Sequence, residues 1–375
     1  MSVYTIANIG GEEPRRGRAP VAAHRVAQLW SLLFPRDAIA LSCAAQPAAA
    51  SHSFDRRLGD PERAAFRWIG EDAAHAWLNT TEARQLASQA GVPLAGAPPE
   101  VVERVHDKAF AHSVSLEAGL LPRVLRELVT VLSPEQLLDG ESSLRDIRSR
   151  VLAWPDWTRG RFCLKPRFGS SGRGRVPGDA SHFDATPLAR ALPRLAQRGG
   201  ALLEPWLERE CDLSAQLYIA PDGIVTLLGT LELCVTDSGV YRGHRGRLDH
   251  RLRIASGSVH DDGLLEAAMI VARAAHAQGY HGPCGVDAFA FRGPDGPLLR
   301  PAVELNARFT LGTIVTGLLR RARPHLRRRL PTPPGSLRAL RFALPARAEA
   351  GFEAAWQLPL PEAEARLELG FPRRE

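Results

Sequence analysis

The segment that most constrains the fold is the stretch VDAFAFRGPDGPLLRPAVELNAR, residues 286–308. Two apolar runs flank the breaker-rich turn RGPDGP, and this pattern predicts a β-hairpin. Because alternate residues of a strand lie on one face, Glu304 and Asn306 share a face, and the hairpin brings Asp287 beside them. Two carboxylates and an amide are hard oxygen ligands that suit Mg²⁺ held partly by phosphates. The alternative, a hairpin with an ordinary polar face, would bury polar groups without compensation.

A second constraint is the choice of cation beside a glycine-rich loop. Of the 48 lysines and arginines, two are lysines, Lys108 and Lys165. Codon bias in a GC-rich genome explains the arginines, but not why Lys165 precedes the loop FGSSGRG, whose glycines let backbone N–H groups approach an anion. Lysine is a slim point charge that reaches a phosphate oxygen through a narrow gap. The loop matches neither the P-loop nor the dinucleotide-binding pattern, so by itself it is also compatible with an ordinary glycine-rich hairpin.

Composition narrows the class of protein. The 375 residues are 45% hydrophobic and 24% charged, which is typical of a globular chain of two or three domains. No apolar run approaches the ~18 residues of a membrane-spanning helix, and the N-terminus lacks the order of a secretory signal. The cysteines are five, widely spaced and without a CxxC pair, which disfavours disulfides and zinc and favours the cytoplasm. They are Cys43, Cys163, Cys211, Cys234 and Cys284.

The formal charge of +7 raises the possibility of a nucleic-acid partner. The densest basic run is residues 318–330, and no aromatic residue interleaves with its arginines. A stacking platform for single strands is therefore not indicated. We predict instead that this run is a solvated helix face, and that the positive charge attracts anionic small molecules.

The N-terminal residues predict a small α/β domain. Residues 3–10 and 37–42 are predicted strands, and helical apolar spacing lies between them. Residues 63–91 are predicted to be mainly helical, with Thr80 or Thr81 as the cap of a second helix. The spacing of apolar residues over 99–120 predicts one helix or two. Strands and hairpins dominate the pattern further along the chain.

The apolar strand ALLEPWLEREC, residues 201–211, carries a third motif. The strand ends near Glu204. Backbone groups at such a strand end can hydrogen-bond the edge of an adenine, and a nearby carboxylate can bind the ribose. The chemistry-bearing residues occur in the order Lys108, Lys165 with its loop, Glu204, Asp287, Glu304 and Asn306. This ordered set resembles the ATP-grasp superfamily over about residues 75–320. The N-terminal segment resembles the small domain that usually precedes the grasp.

The resemblance implies an α/β (α+β) chain with the ATP-grasp fold and a preceding small Rossmann-like α/β domain. The expected division is an N-terminal α/β domain at 1–98, a helical linker and start of the grasp at 99–160, a small subdomain with the glycine-rich loop at 161–210, a larger subdomain with the metal site at 211–330, and an extension of unplaced role at 331–375.

The resemblance also implies roles for individual residues. Lys165 and Arg308 would be catalytic, with Arg308 stabilising charge at the transferring phosphoryl group or the acyl phosphate. Glu210 would bind the ribose hydroxyls, with Glu208 and Asp212 as alternative registers. The implied ligands of two Mg²⁺ ions, or of Mn²⁺, are Asp287, Glu304 and Asn306. The implied ATP contacts are Lys108, Lys165, Gly169, Ser170, Ser171, Gly172, Gly174, Glu204, Trp206, Leu207 and Glu210.

The implied activity is ATP-dependent ligation of a carboxylate to an amine through an acyl phosphate, with release of ADP and phosphate. The segment GPCGVD has Cys284 and Gly285 where D-alanine ligases, which the chain distantly resembles, usually have an arginine before the metal-binding aspartate. This departure argues against a D-Ala–D-Ala ligase. The sequence looks more like stand-alone amino-acid or peptide ligases of bacterial secondary metabolism. Arg242, His244 and Arg245 could hold a carboxylate substrate, and a solvated arginine-rich loop is the alternative.

Two other classes of function stay open. One is an ATP-grasp enzyme with a thiol acceptor or kinase-like phosphotransfer. The other is a non-catalytic nucleotide- or nucleic-acid-binding protein, which the intact set of lysines and metal ligands disfavours. The expected partners are small-molecule carboxylate and amine substrates, without nucleic acid or membrane, and a homodimer is left open.

Overall fold

A computed structural model of the chain describes residues 2–11, 21–42, 55–169, 172–236, 240–346 and 352–371. The N-terminal part forms a three-stranded parallel sheet in the order β2-β1-β3, with a helix between the first two strands. Its elements are β1 (Tyr4–Ile6), α1 (Val21–Ser31), β2 (Ile39–Ala40) and β3 (Ala74–Ala76). The β-α-β opening agrees with the α/β segment predicted from the sequence.

The prediction of mainly helical structure over residues 63–91 is wrong for its first half. The only regular element there before residue 80 is β3, which pairs in parallel with β1 through Tyr4 and Ala74. Helix α2 (Thr81–Gln89) follows, and the Thr80 side chain caps it by accepting from the Ala83 N–H, as expected. Alanine-rich spacing indicated a helix, but pairing with a buried strand outweighed that local preference.

Residues 99–117 form two helices, α3 (Pro99–His106) and α4 (Lys108–Glu117). The break occurs at Asp107, whose backbone is extended at φ −61° and ψ 128°. Its carboxylate accepts from the Ala109 N–H at 2.8 Å, so Asp107 is the N-cap of α4. Lys108 is consequently the first residue of that helix.

A four-stranded antiparallel sheet, in the order β4-β7-β5-β6, forms the smaller of the two later sheets. Phe162, Leu164 and Leu203 from its strands bury against Leu188 and Leu192 of a helix. Its strands and the helices of this part are β4 (Thr130–Leu132), α5 (Pro134–Leu138), α6 (Gly140–Leu152), β5 (Arg161–Pro166), β6 (Val176–Asp179), α7 (Ala185–Ala196) and β7 (Ala201–Pro205).

A nine-stranded sheet forms the remainder, with β11 paired to β10 at its side and the other strands in the order β13-β12-β8-β9-β10-β14-β16-β15. Its elements are β8 (Arg209–Ile219), β9 (Val225–Val235), β10 (Tyr241–Leu248), β11 (Ile254–Ala255), α8 (Asp261–Ala277), β12 (Gly282–Gly293), β13 (Gly296–Asn306), α9 (Leu311–Arg329), β14 (Arg338–Ala343), β15 (Ala354–Leu360) and β16 (Ala365–Gly370). Residues 331–375, unplaced from the sequence, therefore supply three strands to this sheet.

The N-terminal part packs onto the large sheet through aromatic residues. The rings of Trp30 and Phe309 lie 5.4 Å apart, and those of Phe34 and Phe309 lie 6.2 Å apart. The basic run predicted to be a solvated face lies in α9, and Arg321 departs from that prediction. It is buried and donates to the carbonyls of Phe34 at 3.1 Å and Asp60 at 2.8 Å. Within the described ranges, no helix is long and apolar enough to cross a membrane.

Candidate active site

The predicted metal ligands lie on two adjacent rows across three antiparallel strands, β8, β12 and β13. In one row Ser214, Asp287 and Glu304 face one another across the strands, and Gly285 and Asn306 belong to the next. The hairpin deduced from residues 286–308 therefore brings together the three side chains singled out from the sequence. Alternation along β13 puts Glu304 and Asn306 on the same face.

Hydrogen bonds fix the carboxylate of Asp287. Its Oδ1 accepts from Ser214 Oγ at 2.6 Å and its Oδ2 accepts from Asn306 Nδ2 at 3.0 Å. Arg308 Nη2 in turn donates to Asn306 Oδ1 at 2.9 Å. Burial, reinforced by the neighbouring Glu304 carboxylate, raises the pKa of Asp287. Two half-buried carboxylates that face each other across β12 and β13 are an arrangement that a cation stabilises.

Lys108 joins this group to the glycine-rich loop. Its Nζ lies 2.9 Å from Glu304 Oε2 and donates to the Gly169 carbonyl at 2.8 Å. Burial by itself would raise the pKa of Glu304, but Lys108 and Lys165 outweigh it and hold that pKa below its usual range. In the part of the chain that the structure describes, no three His, Cys, Asp or Glu side chains form a metal-binding group. A cation here would rely on the Asn306 amide as well as on the two carboxylates.

Lys165 belongs to a second, more deeply buried group of charges. Its Nζ contacts Glu204 Oε1, and Glu204 Oε2 accepts from Arg300 Nη1 at 2.7 Å. Burial opposes ionisation of Glu204, but Arg300 and Lys165 lower its pKa to about 2. Burial lowers the pKa of Lys165, and Glu204 acts in the opposite direction. Glu204, predicted among the ATP contacts, thus has both carboxylate oxygens in contact with cations.

The glycine-rich loop joins β5 to β6. Gly172 and Gly174 adopt φ of +69° and +79°, a region that favours glycine. A Cβ on Gly174 would come within 2.4 Å of the Arg198 guanidinium, so the backbone approaches that cation closely. Arg175 Nε donates to the Gly172 carbonyl at 2.9 Å. Ser170 and Ser171, predicted to contact ATP, lie outside the described residues.

No family model and no curated protein matches the chain. Solved structures do. One is the biotin carboxylase domain dimer of Hydrogenobacter thermophilus 2-oxoglutarate carboxylase with MgADP, ADP and bicarbonate, at 18% identity and TM-score 0.51, covering 90% of this chain and 73% of that one. Another is Campylobacter jejuni biotin carboxylase in a β,γ-ATP complex, at 15% identity and TM-score 0.52. This match covers 95% of this chain and 79% of that one. Both matches extend over most of this chain and show a shared fold. The chain has the ATP-grasp fold. The fold predicted from the ordered residues is thereby confirmed.

In this grasp, the strand expected to contact adenine has part of its backbone already engaged. The Trp206 N–H donates to the Arg161 carbonyl at 2.8 Å, so this N–H is already engaged within the fold. Leu207 is buried, and the guanidinium of Arg175 lies 5.5 Å from the Trp206 ring. Glu210 is partly exposed, with Arg292 Nη2 3.4 Å from its Oε1. Of the alternative registers, Asp212 pairs with Arg209 and Glu208 with Arg159.

The structure does not bring the basic cluster of β10 to the grasp site. Two strands, β9 and β8, separate β10 from β12. His244 is buried, its Nδ1 lies 2.6 Å from the Tyr241 hydroxyl, and burial lowers its pKa to about 3. Arg245 faces Glu232 and Arg341 across the neighbouring strands. The geometry therefore lends no support to Arg242, His244 and Arg245 as substrate contacts.

The sequence reasoning overlooked several residues of the site. Gln216 Nε2 donates to Ser214 Oγ at 2.7 Å, and Thr310 Oγ1 contacts Gln216 Oε1. Polar residues at 214 and 216 alternate with buried Leu213, Ala215 and Leu217, and this alternation was the available signal. Arg300 gave no comparable signal, because its partner Glu204 lies on a distant strand.

Gly285 explains the departure from the D-alanine ligase pattern. A Cβ on it would lie 3.0 Å from Thr310 Cγ2 and 3.2 Å from Gln216 Oε1. The Gln216–Thr310 contact therefore occupies the space that a side chain at 285 would need. A side chain at this position would require Gln216 or Thr310 to shift.

Proposed function

We propose that the chain is an ATP- and Mg²⁺-dependent ligase that activates a carboxylate as an acyl phosphate and couples it to an amine. The observation that carries this proposal is Lys108, whose Nζ contacts both the Gly169 carbonyl of the loop and the Glu304 carboxylate. A phosphate-binding loop, a cation and an acidic hairpin thus meet at one point. The fold supports the same reading, since similar structures contain ADP, MgADP or ATP.

The donor set fits magnesium. Asp287, Glu304 and Asn306 supply hard oxygen ligands. Burial and the neighbouring Glu304 carboxylate raise the pKa of Asp287, and a cation between the carboxylates would offset both effects. Bound there, Mg²⁺ would neutralise charge on the phosphates of ATP. Ser214 Oγ and Asn306 Nδ2 hold the Asp287 carboxylate in position for this role.

The chain's own cations have distinct tasks in this proposal. Lys108 and Lys165 bind the α- and β-phosphates, and the loop that contains Gly169, Gly172 and Gly174 covers them. Arg308 stabilises the negative charge on the transferring phosphoryl group, because its guanidinium already contacts Asn306 beside the acidic pair. The strand end at 204–207 accepts adenine, and Glu210 accepts the ribose hydroxyls.

Activation is needed because a carboxylate is a poor electrophile. A carboxylate oxygen attacks the γ-phosphorus, and the bond to the β–γ bridging oxygen breaks to release ADP. The amine nitrogen then attacks the acyl carbon, phosphate leaves, and the amine loses a proton. The protein positions the reactants and neutralises charge while loop closure keeps water from the acyl phosphate.

The carboxylate is an amino acid, a peptide or a related acid, and the reaction takes place in the cytoplasm of a bacterium as part of secondary metabolism. The N-terminal α/β part, residues 1–98, precedes the grasp at 99–330. Residues 331–375 complete the large sheet.

The test measures ADP and phosphate release with MgATP across a panel of acids, with hydroxylamine present to trap an acyl phosphate. We expect hydroxamate from a subset of acids, and loss of both products in Lys165→Ala. ADP with a phosphorylated product and no hydroxamate would replace the ligase by a kinase-like phosphotransferase. Near-normal turnover in Lys165→Ala would show that the site assignment is wrong.

A further inference from the structure

A cavity of about 160 Å³ adjoins the candidate active site at Arg308. It lies where the N-terminal part meets the large sheet, between residues 75–79, residues 95–97 and the start of β12. Arg308 borders both the candidate active site and the cavity. It donates to Asn306 beside the acidic pair, and its guanidinium lies 5.5 Å from the Trp77 ring of the cavity. A ligand in the cavity would therefore have one end at the reacting centre.

Flat rings form the walls of this cavity. Trp68 and Tyr218 stack with ring centroids 4.5 Å apart and an interplanar angle of 7°. Trp77 and Phe309 stack at 6.5 Å and 22°, and Tyr280 also lines the space. Such walls favour a planar apolar body, because aromatic pairs gain free energy beyond the area that they bury.

Polar groups line the cavity beside the rings. Trp68 Nε1 is buried and has no hydrogen-bond acceptor among the described residues. Asn79 donates both amide hydrogens to the carbonyls of Ala95 and Ala97 at 2.8 Å, which leaves its Oδ1 as an acceptor. Burial lowers the pKa of His75, which favours its neutral form. Among the described lining residues, Arg308 is the guanidinium, His75 and His281 are the histidines, and none is acidic.

Size and charge together define the ligand. An engineered apolar cavity of about 150 Å³ binds benzene, so this space is large enough for one six-membered ring. The positive charge of Arg308 at one end favours an anionic group there. We propose that this cavity binds the body of the carboxylate substrate, and that this substrate is an acid carrying one aromatic ring, with its carboxylate toward Arg308. The inference rests on the proposed function, because it assigns the acyl donor of the same site.

Binding to the full chain without ATP tests this inference separately from catalysis. Isothermal titration calorimetry would compare 3-phenylpropanoate and L-phenylalanine with propanoate and L-alanine, which lack the ring, and with 3-phenylpropanamide, which lacks the charge. We expect each ring acid to bind about tenfold or more tightly than its ring-free counterpart, because ring burial contributes that much. The amide should bind more weakly than its acid.

Variants assign the binding to the cavity. Tyr218→Leu removes one wall and should weaken 3-phenylpropanoate binding about three- to tenfold without changing the affinity for propanoate. Trp68→Phe keeps a ring but removes the N–H donor, and distinguishes stacking from hydrogen bonding. The matched control is Trp157→Leu, which removes a half-buried aromatic ring stacked on Phe291 away from the cavity. Circular dichroism and Tm establish that each variant is folded.

The outcomes separate the two proposals. Equal affinity for ring and ring-free acids, or equal weakening by Tyr218→Leu and Trp157→Leu, overturns the cavity assignment even if some other acid gives hydroxamate. Selective binding of ring acids that Tyr218→Leu weakens supports it. If those acids bind selectively but no acid of the panel gives ADP or hydroxamate, the aromatic-acid site stands and the ligase proposal fails.

Discussion

The two lysines of the chain lie in contrasting surroundings. Lys108 and its partner Glu304 have side chains that are 12% and 23% exposed, so their contact lies at the edge of a cleft. Lys165, Glu204 and Arg300 are 8%, 4% and 1% exposed, and form a chain of alternating charge within the protein. The first contact lies where a ligand can reach it, whereas the second is largely withdrawn from solvent. The two lysines therefore differ in how strongly the fold depends on their charge.

The largest expected effect tests the buried group. Glu204→Ala leaves Lys165 and Arg300 buried without their shared carboxylate, and should lower the free energy of unfolding by about 3–5 kcal/mol. Urea denaturation measures this change. The matched control is Glu100→Ala, because Glu100 pairs with Arg84 at 3.1 Å with both side chains at least half exposed. An exposed pair contributes little, so this variant should remain close to the parent protein. Equal stability of the two variants would show that the buried group is not structural.

The second prediction compares the two lysines directly. Lys108→Met and Lys165→Met should each lower ATP turnover about 10²–10³-fold, because each removes a charge that stabilises phosphate. Stability should separate them. Lys165→Met removes a charged hydrogen-bond donor from Glu204 and should cost about 1.5–3 kcal/mol, whereas Lys108→Met should cost less.

Steady-state kinetics and Tm, measured on both lysine variants, check this comparison. Lys108→Arg is the control for charge, and it should restore little activity, because a guanidinium fork does not fit where Nζ contacts both Gly169 and Glu304. Full activity in Lys108→Met would remove Lys108 from the phosphate site.

The same contrast explains how much the sequence could predict. Asp287 and Glu304 were predicted to meet because a hairpin and strand alternation are local rules. The Lys165–Glu204 contact depends on the pairing of β5 with β7, with helix α7 between them in the chain, and local patterns do not specify that pairing. Arg300 lies on β13 of the nine-stranded sheet, so its contact with Glu204 also depends on how the two sheets pack together. Its burial follows from tertiary packing alone.

The error at residues 63–79 has a related cause. Alanine spacing there is compatible with a helix, but β3 lies beside β1 and contributes three fully buried residues to the N-terminal sheet. Local propensity is a weak preference that such pairing outweighs. Several residues of this wrongly predicted segment, including Trp68 and Trp77, line the cavity beside Arg308. The proposed substrate cavity therefore could not be located before the fold was known.

The smallest expected effect concerns the connection between the two regions. Asp107 caps α4 through the Ala109 N–H, and its carboxylate also contacts Arg167, which follows Lys165 by two residues. Asp107→Asn keeps a capping oxygen but removes the charge, so unfolding should become easier by about 1 kcal/mol or less. Asp107→Ala loses the cap as well and should cost about 1 kcal/mol more.

If the Asp107–Arg167 pair holds Lys108 in register with the loop, Asp107→Asn should raise the KM for ATP while lowering Tm only slightly. An unchanged KM in Asp107→Asn, with Tm lowered in both variants, would limit Asp107 to a role in stability.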